Sequence, residues 1–304
     1  MIRFVAVDWG TSSLRVWAMA ADGSVLAERK SGQGMSTLDP SGFAPVLDGH
    51  LHALSIPAEV PVLICGMASA RTGWREVAYL DLPLRLDTVP EAAVQVDEER
   101  DIRILPGAAQ RVPDAPDVMR GEETMLLGAV RQHGASGVVC MPGTHSKWAT
   151  LQDGVLTRFE TYMTGEVFNL FRQHSTLADF LSGTDFDETA FAAGLEAGLR
   201  QPEAVMCKVF DLRAGPLLGL VSENTIPSRL SGLLIGLEIA GARASAGTDV
   251  TLIASGPLAD RYHRALTLAV LNPRLIDADD AVRAGLAHSA AAIWKTPYAM
   301  ETAT

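Results

Sequence analysis

Asp8 closes an apolar run that starts at Val5, and it is followed by Trp9, Gly10, Thr11, Ser12 and Ser13. An acid at a strand end, next to a turn of small hydroxyl residues, has the composition of a phosphate-binding turn. Small residues let backbone N–H groups approach phosphate oxygens, and hydroxyls add donors. A carboxylate beside such a turn suits Mg²⁺, which takes hard oxygen ligands and keeps part of its hydration. Asp8 is therefore the expected metal-associated acid.

A second turn repeats this chemistry. The segment "VAVDWGTSSLRVW" (5–17) is matched by "VVCMPGTHSKWAT" (138–150). Gly10-Thr11 correspond to Gly143-Thr144 and Ser13 to Ser146, each 133 residues on. Each segment then reaches an Asp-Gly turn, Asp22-Gly23 and Asp153-Gly154, and afterwards a glycine, Gly32 and Gly165. An ordered set of matches signals duplication. It predicts two hairpins holding one phosphate group from two sides, with Gly10, Thr11, Ser12 and Ser13 in the first loop and Gly143, Thr144 and Ser146 in the second. Lys147 either reaches the phosphates as a point charge or is a solvated hairpin lysine. His145 serves either the loop's hydrogen bonding or catalysis.

Other nucleotide motifs are excluded. No Gly-Lys pair occurs, so there is no Walker-type loop, and "GQGMST" lacks the third glycine of a dinucleotide fingerprint. There is no Gly-x-Ser-x-Gly nucleophile elbow. His50 and His52 lie two apart in a helical stretch and cannot face one ligand.

The elements that must carry these residues alternate. Strands are expected at Val5 to Val7, Leu14 to Met19, Val25 to Arg29, Val60 to Cys65, Gly137 to Met141, Val250 to Ala254 and Arg274 to Asp277. Helices are expected at Ser41 to Leu54, Glu122 to His133, Pro227 to Ala246 and Asp280 to Trp294, with "SGPLADRYHRAL" a loop leading into another. That alternation is α/β. The 304 residues, 48% hydrophobic, suffice for one large domain or two lobes. The lobe boundary is expected near Gly134 to Gly137, giving an N-terminal lobe 1–134 and a C-terminal lobe 135–304, with the last helix able to return to the first.

The net charge of −11 argues against a nucleic-acid footprint. No apolar stretch approaches the roughly 20 residues of a membrane span. Cys65, Cys140 and Cys207 are far apart and odd in number, which fits a reducing, cytoplasmic compartment.

The two-hairpin pattern resembles the two-lobed ATPase architecture of actin, hexokinase and the 70-kDa chaperones, a duplicated ribonuclease H-like α/β fold with a central cleft. Within that superfamily the chain resembles the 2-dehydro-3-deoxygalactonokinases over nearly its whole length. The segments that carry the resemblance are "VDWGTSSLR", "GMASARTGW", "RGEETMLLGA", "MPGTHSKWA", "TYMTGEVFNLFRQHS", "RLSGLLIGLE" and "SGPLADRYHRAL". The resemblance implies transfer of the ATP γ-phosphate, with Mg²⁺, to the 6-hydroxyl of 2-dehydro-3-deoxy-D-galactonate in galactonate catabolism. Its partners would be ATP and a small sugar acid, without nucleic acid or membrane; a homo-oligomer is left open.

Further roles follow from that resemblance. Glu122 and Glu123 sit where related enzymes place a catalytic carboxylate, although acids there also suit a helix N-terminus; the sequence names both, with Asp8 as a backup base. Arg71 can clamp a carboxylate bidentately while Trp74 covers the carbon chain, and Arg15 is a second candidate. Gly256, Pro257 and Leu258 form a loop expected against adenosine, or an ordinary strand-to-helix turn. The rival readings are a phosphohydrolase of exopolyphosphatase type and a nucleotide-responsive regulator.

Overall fold

A computed structural model describes residues 1–97, 99–183, 185–243 and 247–295. The chain divides into two units, and it passes between them several times. The first comprises Met1–Ser136, Thr150–Phe159 and the chain from Ile276 onward; the second comprises Gly137–Ala149 and Glu160–Leu275.

The first unit is built on a six-stranded sheet in the order Val25–Ser31, Leu14–Met19, Phe4–Trp9, Val62–Gly66, Ile102–Ile104, Val94–Asp97. Its central strands are covered on both faces, which is why they read as unbroken apolar runs. Trp9, Phe43, Leu47 and Ile64 pack together on one side, under the helix Phe43–Ala53. The helix Ala278–Trp294 lies against Phe4–Trp9 and Val62–Gly66, and it packs closely on the helix Glu122–His133. In the register of this sheet Asp8 stands opposite Arg15 on the antiparallel neighbour and beside Cys65 on the parallel one.

The second unit carries the strand Asn272–Ile276 as far as Leu275, with Asp249–Ile253 and Gly137–Met141 side by side, then the start and end of the hairpin made by Ser146–Gln152 and Val155–Tyr162. Val139 pairs with Thr251 in parallel. Five helices follow or interleave: Thr164–His174, Glu188–Arg200, Val205–Leu217, Ile226–Ala242 and Gly256–Leu268.

Leu14–Met19, Glu122–His133 and Gly137–Met141 have the bounds expected from sequence. The expected Pro227 to Ala246 helix is Ile226–Ala242, and residues 244–246 lie outside the described residues. The short strands Leu80–Asp81, Leu84–Arg85, Ala108–Gln110 and Asp117–Met119 were not foreseen, because two or three residues show no periodicity. The helices between 164 and 217 were also missed. Among the described residues, no helix is long and apolar enough to cross a membrane.

Two helices of the second unit touch backbone to backbone. A Cβ on Gly232 would lie 2.0 Å from the Phe191 carbonyl oxygen, and one on Gly194 would lie 2.1 Å from that of Arg229. Glycine is thus required sterically where Glu188–Arg200 crosses Ile226–Ala242. Gly232→Ala is expected to destabilise the protein by about 1–3 kcal/mol through overpacking. Urea unfolding checks this: the midpoint should fall with an unchanged m-value.

Candidate active site

In the first unit the site is built around the C-terminal end of Phe4–Trp9. Asp8 accepts from Arg15 Nη1 at 3.2 Å, and Arg15 Nη1 also lies 3.0 Å from Asp279, which Lys30 reaches at 2.9 Å. Asp279 stands in the first turn of Ala278–Trp294, where an acid is favoured by the helix dipole. Burial pushes the Asp8 carboxyl above its usual range; Arg15 pulls it back and Asp279 adds to the rise. Among the described residues its other oxygen receives the Cys65 thiol alone, at 3.9 Å. Burial, with the nearby Asp8 and Glu123 carboxylates, pushes that thiol well up. The structure therefore gathers Asp8, Cys65 and Glu123 into one neighbourhood.

Glu122 and Glu123 open their helix but differ in setting. Glu123 is 1% exposed, and its carboxylate accepts from Gly121 N–H at 2.8 and 3.0 Å and from Thr124 Oγ1 at 3.0 Å. Burial first, then the charge of Glu122, pushes it up to about 8. Glu122 is half-buried and accepts from Arg120 N–H at 3.0 Å. Arg120 is a strut that the sequence did not single out. Its guanidinium donates to Ser69 Oγ at 2.7 Å and to the Val77 carbonyl at 3.1 Å, and it lies 3.9 Å over the Tyr79 ring. It thereby ties the loop carrying Arg71 to the start of the glutamate helix. Arg71 is exposed. Trp74 is half-buried, stacked on Phe43 at 6.3 Å and edge-on to Trp9 at 6.4 Å.

The first phosphate-type turn closes by Gly10 N–H donating to the Ser13 carbonyl at 2.8 Å, with Thr11 and Ser12 exposed. Met35 N–H and Ser36 N–H donate to the Gly10 and Thr11 carbonyls. Gly34 permits this contact, since a Cβ there would lie 2.4 Å from Ser12 backbone.

In the second unit the corresponding turn is buttressed the same way. Glu166 N–H donates to the Thr144 carbonyl at 2.9 Å, and a Cβ on Gly165 would lie 2.5 Å from the Gly143 carbonyl oxygen. The structural counterpart of Gly165 is therefore Gly34. Gly32, the expected partner, has open space around it. Gly34 and Gly165 are 131 apart, the same spacing as the two Asp-Gly turns. Thr144 and His145 are exposed, and His145 pairs with Glu166 through Nε2. Ser146 and Lys147 are turned inward. Ser146 Oγ meets Tyr262 OH at 3.0 Å, and Lys147 Nζ donates to Thr161 Oγ1 at 2.8 Å.

Gly143 and Thr144 line a cavity of about 300 Å³, at the small end of the range for ligand pockets. Thr164, Gly165, Phe168 and Asn169 form a second wall, at the N-terminus of Thr164–His174. Ser231, Leu234 and Ile235 form a third, so these two apolar residues serve as wall as well as core. Leu258, Arg261 and Tyr262 complete it. Two expectations thus meet in one place: the second phosphate turn and the Leu258 loop. Gly256 and Pro257, just before, are exposed. A larger cavity of about 580 Å³, in the first unit, lies beside Phe4 and Trp294. It sits at the far end of the Phe4–Trp9 strand from Asp8 and holds none of the candidate residues.

A family model described as 2-keto-3-deoxy-galactonokinase matches residues 8–289. The chain belongs to that family. It is 49% identical over 298 residues to a protein of Rhizobium meliloti (strain 1021) named "Probable 2-dehydro-3-deoxygalactonokinase DgoK1", covering 96% of this chain and 97% of that one. It is 34% identical over 293 residues to the 2-dehydro-3-deoxygalactonokinase of Escherichia coli (strain K12), covering 96% and 98%. A crystal structure of a protein from Sinorhizobium meliloti superposes with a TM-score of 0.92 at 47% identity over 99% of each chain. The activator of 2-hydroxyisocaproyl-CoA dehydratase from Clostridium difficile shares the fold alone, with a TM-score of 0.54 at 11% identity over 97% of this chain and 96% of that one. The chain is accordingly a sugar-acid kinase, a phosphotransferase with an alcohol acceptor, on the mixed α/β fold of the actin-like ATPases and sugar kinases.

The state of Glu123 has a measurable consequence. Its carboxyl rises from 4.5 when unfolded to about 8 when folded. Below pH 4.5 both states hold the proton and nothing changes. Between 4.5 and about 8 the unfolded chain releases it and the folded chain keeps it, so stability falls as pH rises. Glu123→Gln should remove this loss, and the variant should gain on wild type by up to about 1.4 kcal/mol per pH unit across that window. Chemical denaturation from pH 5 to 8 measures it; parallel curves would refute it.

Proposed function

We propose that this kinase transfers the γ-phosphate of ATP to the 6-hydroxyl of 2-dehydro-3-deoxy-D-galactonate, with Mg²⁺, as a step of galactonate catabolism. The reading rests chiefly on the second-unit cavity, where a phosphate-type turn and an apolar wall stand together. The names of the relatives supply the acceptor class. The chemistry needs two small-molecule substrates and neither nucleic acid nor membrane, as for a cytoplasmic metabolic enzyme.

In the second unit, Gly143 and Thr144 serve the phosphates and Leu258 serves adenosine, with Gly256 and Pro257 setting the start of that helix. Ser146 and Lys147, turned inward, brace the turn. In the first unit, Gly10, Thr11, Ser12 and Ser13 form the other phosphate turn. Asp8 fits Mg²⁺: one carboxylate, with one oxygen held among the described residues by a thiol alone, suits an ion that keeps most of its water. Bound there, the ion would neutralise phosphate charge.

Glu122 is the proton acceptor for the sugar hydroxyl, because its carboxylate is partly open, whereas Glu123 is sealed and holds its proton at neutral pH. Arg71 takes the substrate carboxylate from an exposed loop, and Trp74 fixes that loop by stacking on Phe43. Arg15 is occupied by Asp8 and Asp279, and its part is to hold Asp8 in place.

Glu122→Gln should lower kcat by about 10²–10⁴-fold with little change in melting temperature. A wild-type rate that climbs tenfold per pH unit up to about 8 and is lost in Glu123→Gln would hand the role to Glu123. The site of transfer is read by ³¹P–¹³C coupling in the product. Phosphate on C6 supports the reading, and phosphate on any other oxygen overturns it.

A further inference from the structure

Glu238 is the only charged residue in the sequence between Leu230 and Ala242, and it is 1% exposed. It is not among the residues that line the 300 Å³ cavity. Its Oε1 accepts from Trp148 Nε1 at 2.9 Å. Its Oε2 accepts from Tyr262 OH at 2.7 Å and from Thr164 Oγ1. Ser146 Oγ then meets the Tyr262 hydroxyl. These donors come from the hairpin after the second phosphate turn, from the helix Thr164–His174 and from Gly256–Leu268. Thr164 and Tyr262 line the 300 Å³ cavity, on two of its walls. Trp148 and Ser146 sit behind the turn that presents Gly143 and Thr144.

A buried carboxylate without donors is strongly disfavoured, and hydrogen bonds to a charged acceptor are stronger than neutral ones. Each of the three elements is therefore held to the same group before any ligand arrives. We infer that Glu238 is the positioning residue of the nucleotide cavity: it fixes Thr164, Tyr262 and the phosphate turn relative to one another while touching no substrate. The inference rests on the reading of this cavity as the nucleotide site. It goes beyond that reading by locating its control in a residue outside it.

The arrangement also fixes the polarity of one wall. The Thr164 hydroxyl proton is directed at Glu238, so toward the cavity that oxygen offers lone pairs. Phosphate oxygens, which are acceptors, find no donor in that hydroxyl and are left to the Gly143–Thr144 turn, while Thr164 faces a donor such as a ribose hydroxyl.

The test is ADP binding to the full chain by titration calorimetry, with steady-state kinetics alongside. The variants are Glu238→Gln, Thr164→Val, Thr164→Ser and the Glu238→Gln/Thr164→Val double variant. Leu258→Trp, which fills the cavity, reports on the cavity reading itself. Glu238→Gln and Thr164→Val should each weaken ADP binding about tenfold, with KM for ATP rising more than kcat falls. KM for the sugar acid should stay unchanged. Thr164→Ser keeps the hydroxyl and should bind as wild type. The double variant should lose less than the sum of the single losses, because both changes disturb the Thr164–Glu238 bond. Additive losses in the double variant, or wild-type affinity in a folded Glu238→Gln, would overturn the inference while a weakened Leu258→Trp leaves the cavity reading standing. Wild-type affinity in Leu258→Trp would overturn both. If Glu238→Gln fails to fold, the contrast between Thr164→Val and Thr164→Ser decides: equal affinities overturn the inference.

Discussion

A carboxylate withdrawn from water must find donors or a proton, and among the described residues each unit of this kinase contains one fully buried glutamate under that constraint. Glu123 meets it with the Gly121 N–H, the Thr124 hydroxyl and a retained proton. Glu238 meets it with an indole, a phenol and a threonine hydroxyl. In both cases the donors belong to segments with work to do: the glutamate-helix start in one unit, the cavity walls in the other. Satisfying the acid and ordering the site are the same act. Polar groups placed beforehand need no reorganisation when charge develops, which is where electrostatic catalysis gains most.

Phosphoryl transfer asks a protein for position and charge neutralisation more than for reactivity. The division of labour between the two units reflects that. The first holds the buried carboxylates and the exposed loop that, on the proposed reading, takes the sugar acid. The second offers a cavity with a phosphate-type turn. A hydrolase would have no use for the exposed Arg71 loop or for the Arg120 strut that ties it to Glu122. Family membership agrees with the kinase reading, and it leaves the regulator without support.

Much of this was legible in the sequence because it is local. The Asp8 strand end and the repeated Gly-Thr turns are composition and spacing, and strand and helix periodicity placed them correctly on hairpins. What escaped was set by long-range contact. The repeat's last glycine was matched to Gly32, and only the close backbone approach shows that Gly34 is the one that cannot carry a Cβ. Ser146 and Lys147 are neighbours on a strand whose first four residues are all buried, so both of its faces are covered there, and no local pattern in a hairpin announces that. Tyr262 and Trp148 become important through Glu238, 24 and 90 residues away. A single acid in the apolar string "LLIGLEIAG" was the one visible sign. Trp74 was read as a substrate cover, yet its visible contacts are with Trp9 and Phe43, which no spacing rule anticipates.

The most direct test of the account is the dependence of ADP release on the acceptor, followed with purified protein, ATP and Mg²⁺. The account predicts that ADP appears only when 2-dehydro-3-deoxy-D-galactonate is supplied, one ADP for each sugar-acid phosphate formed. ADP released at the same rate without any sugar acid would mean that water is the acceptor, and it would contradict the assignment.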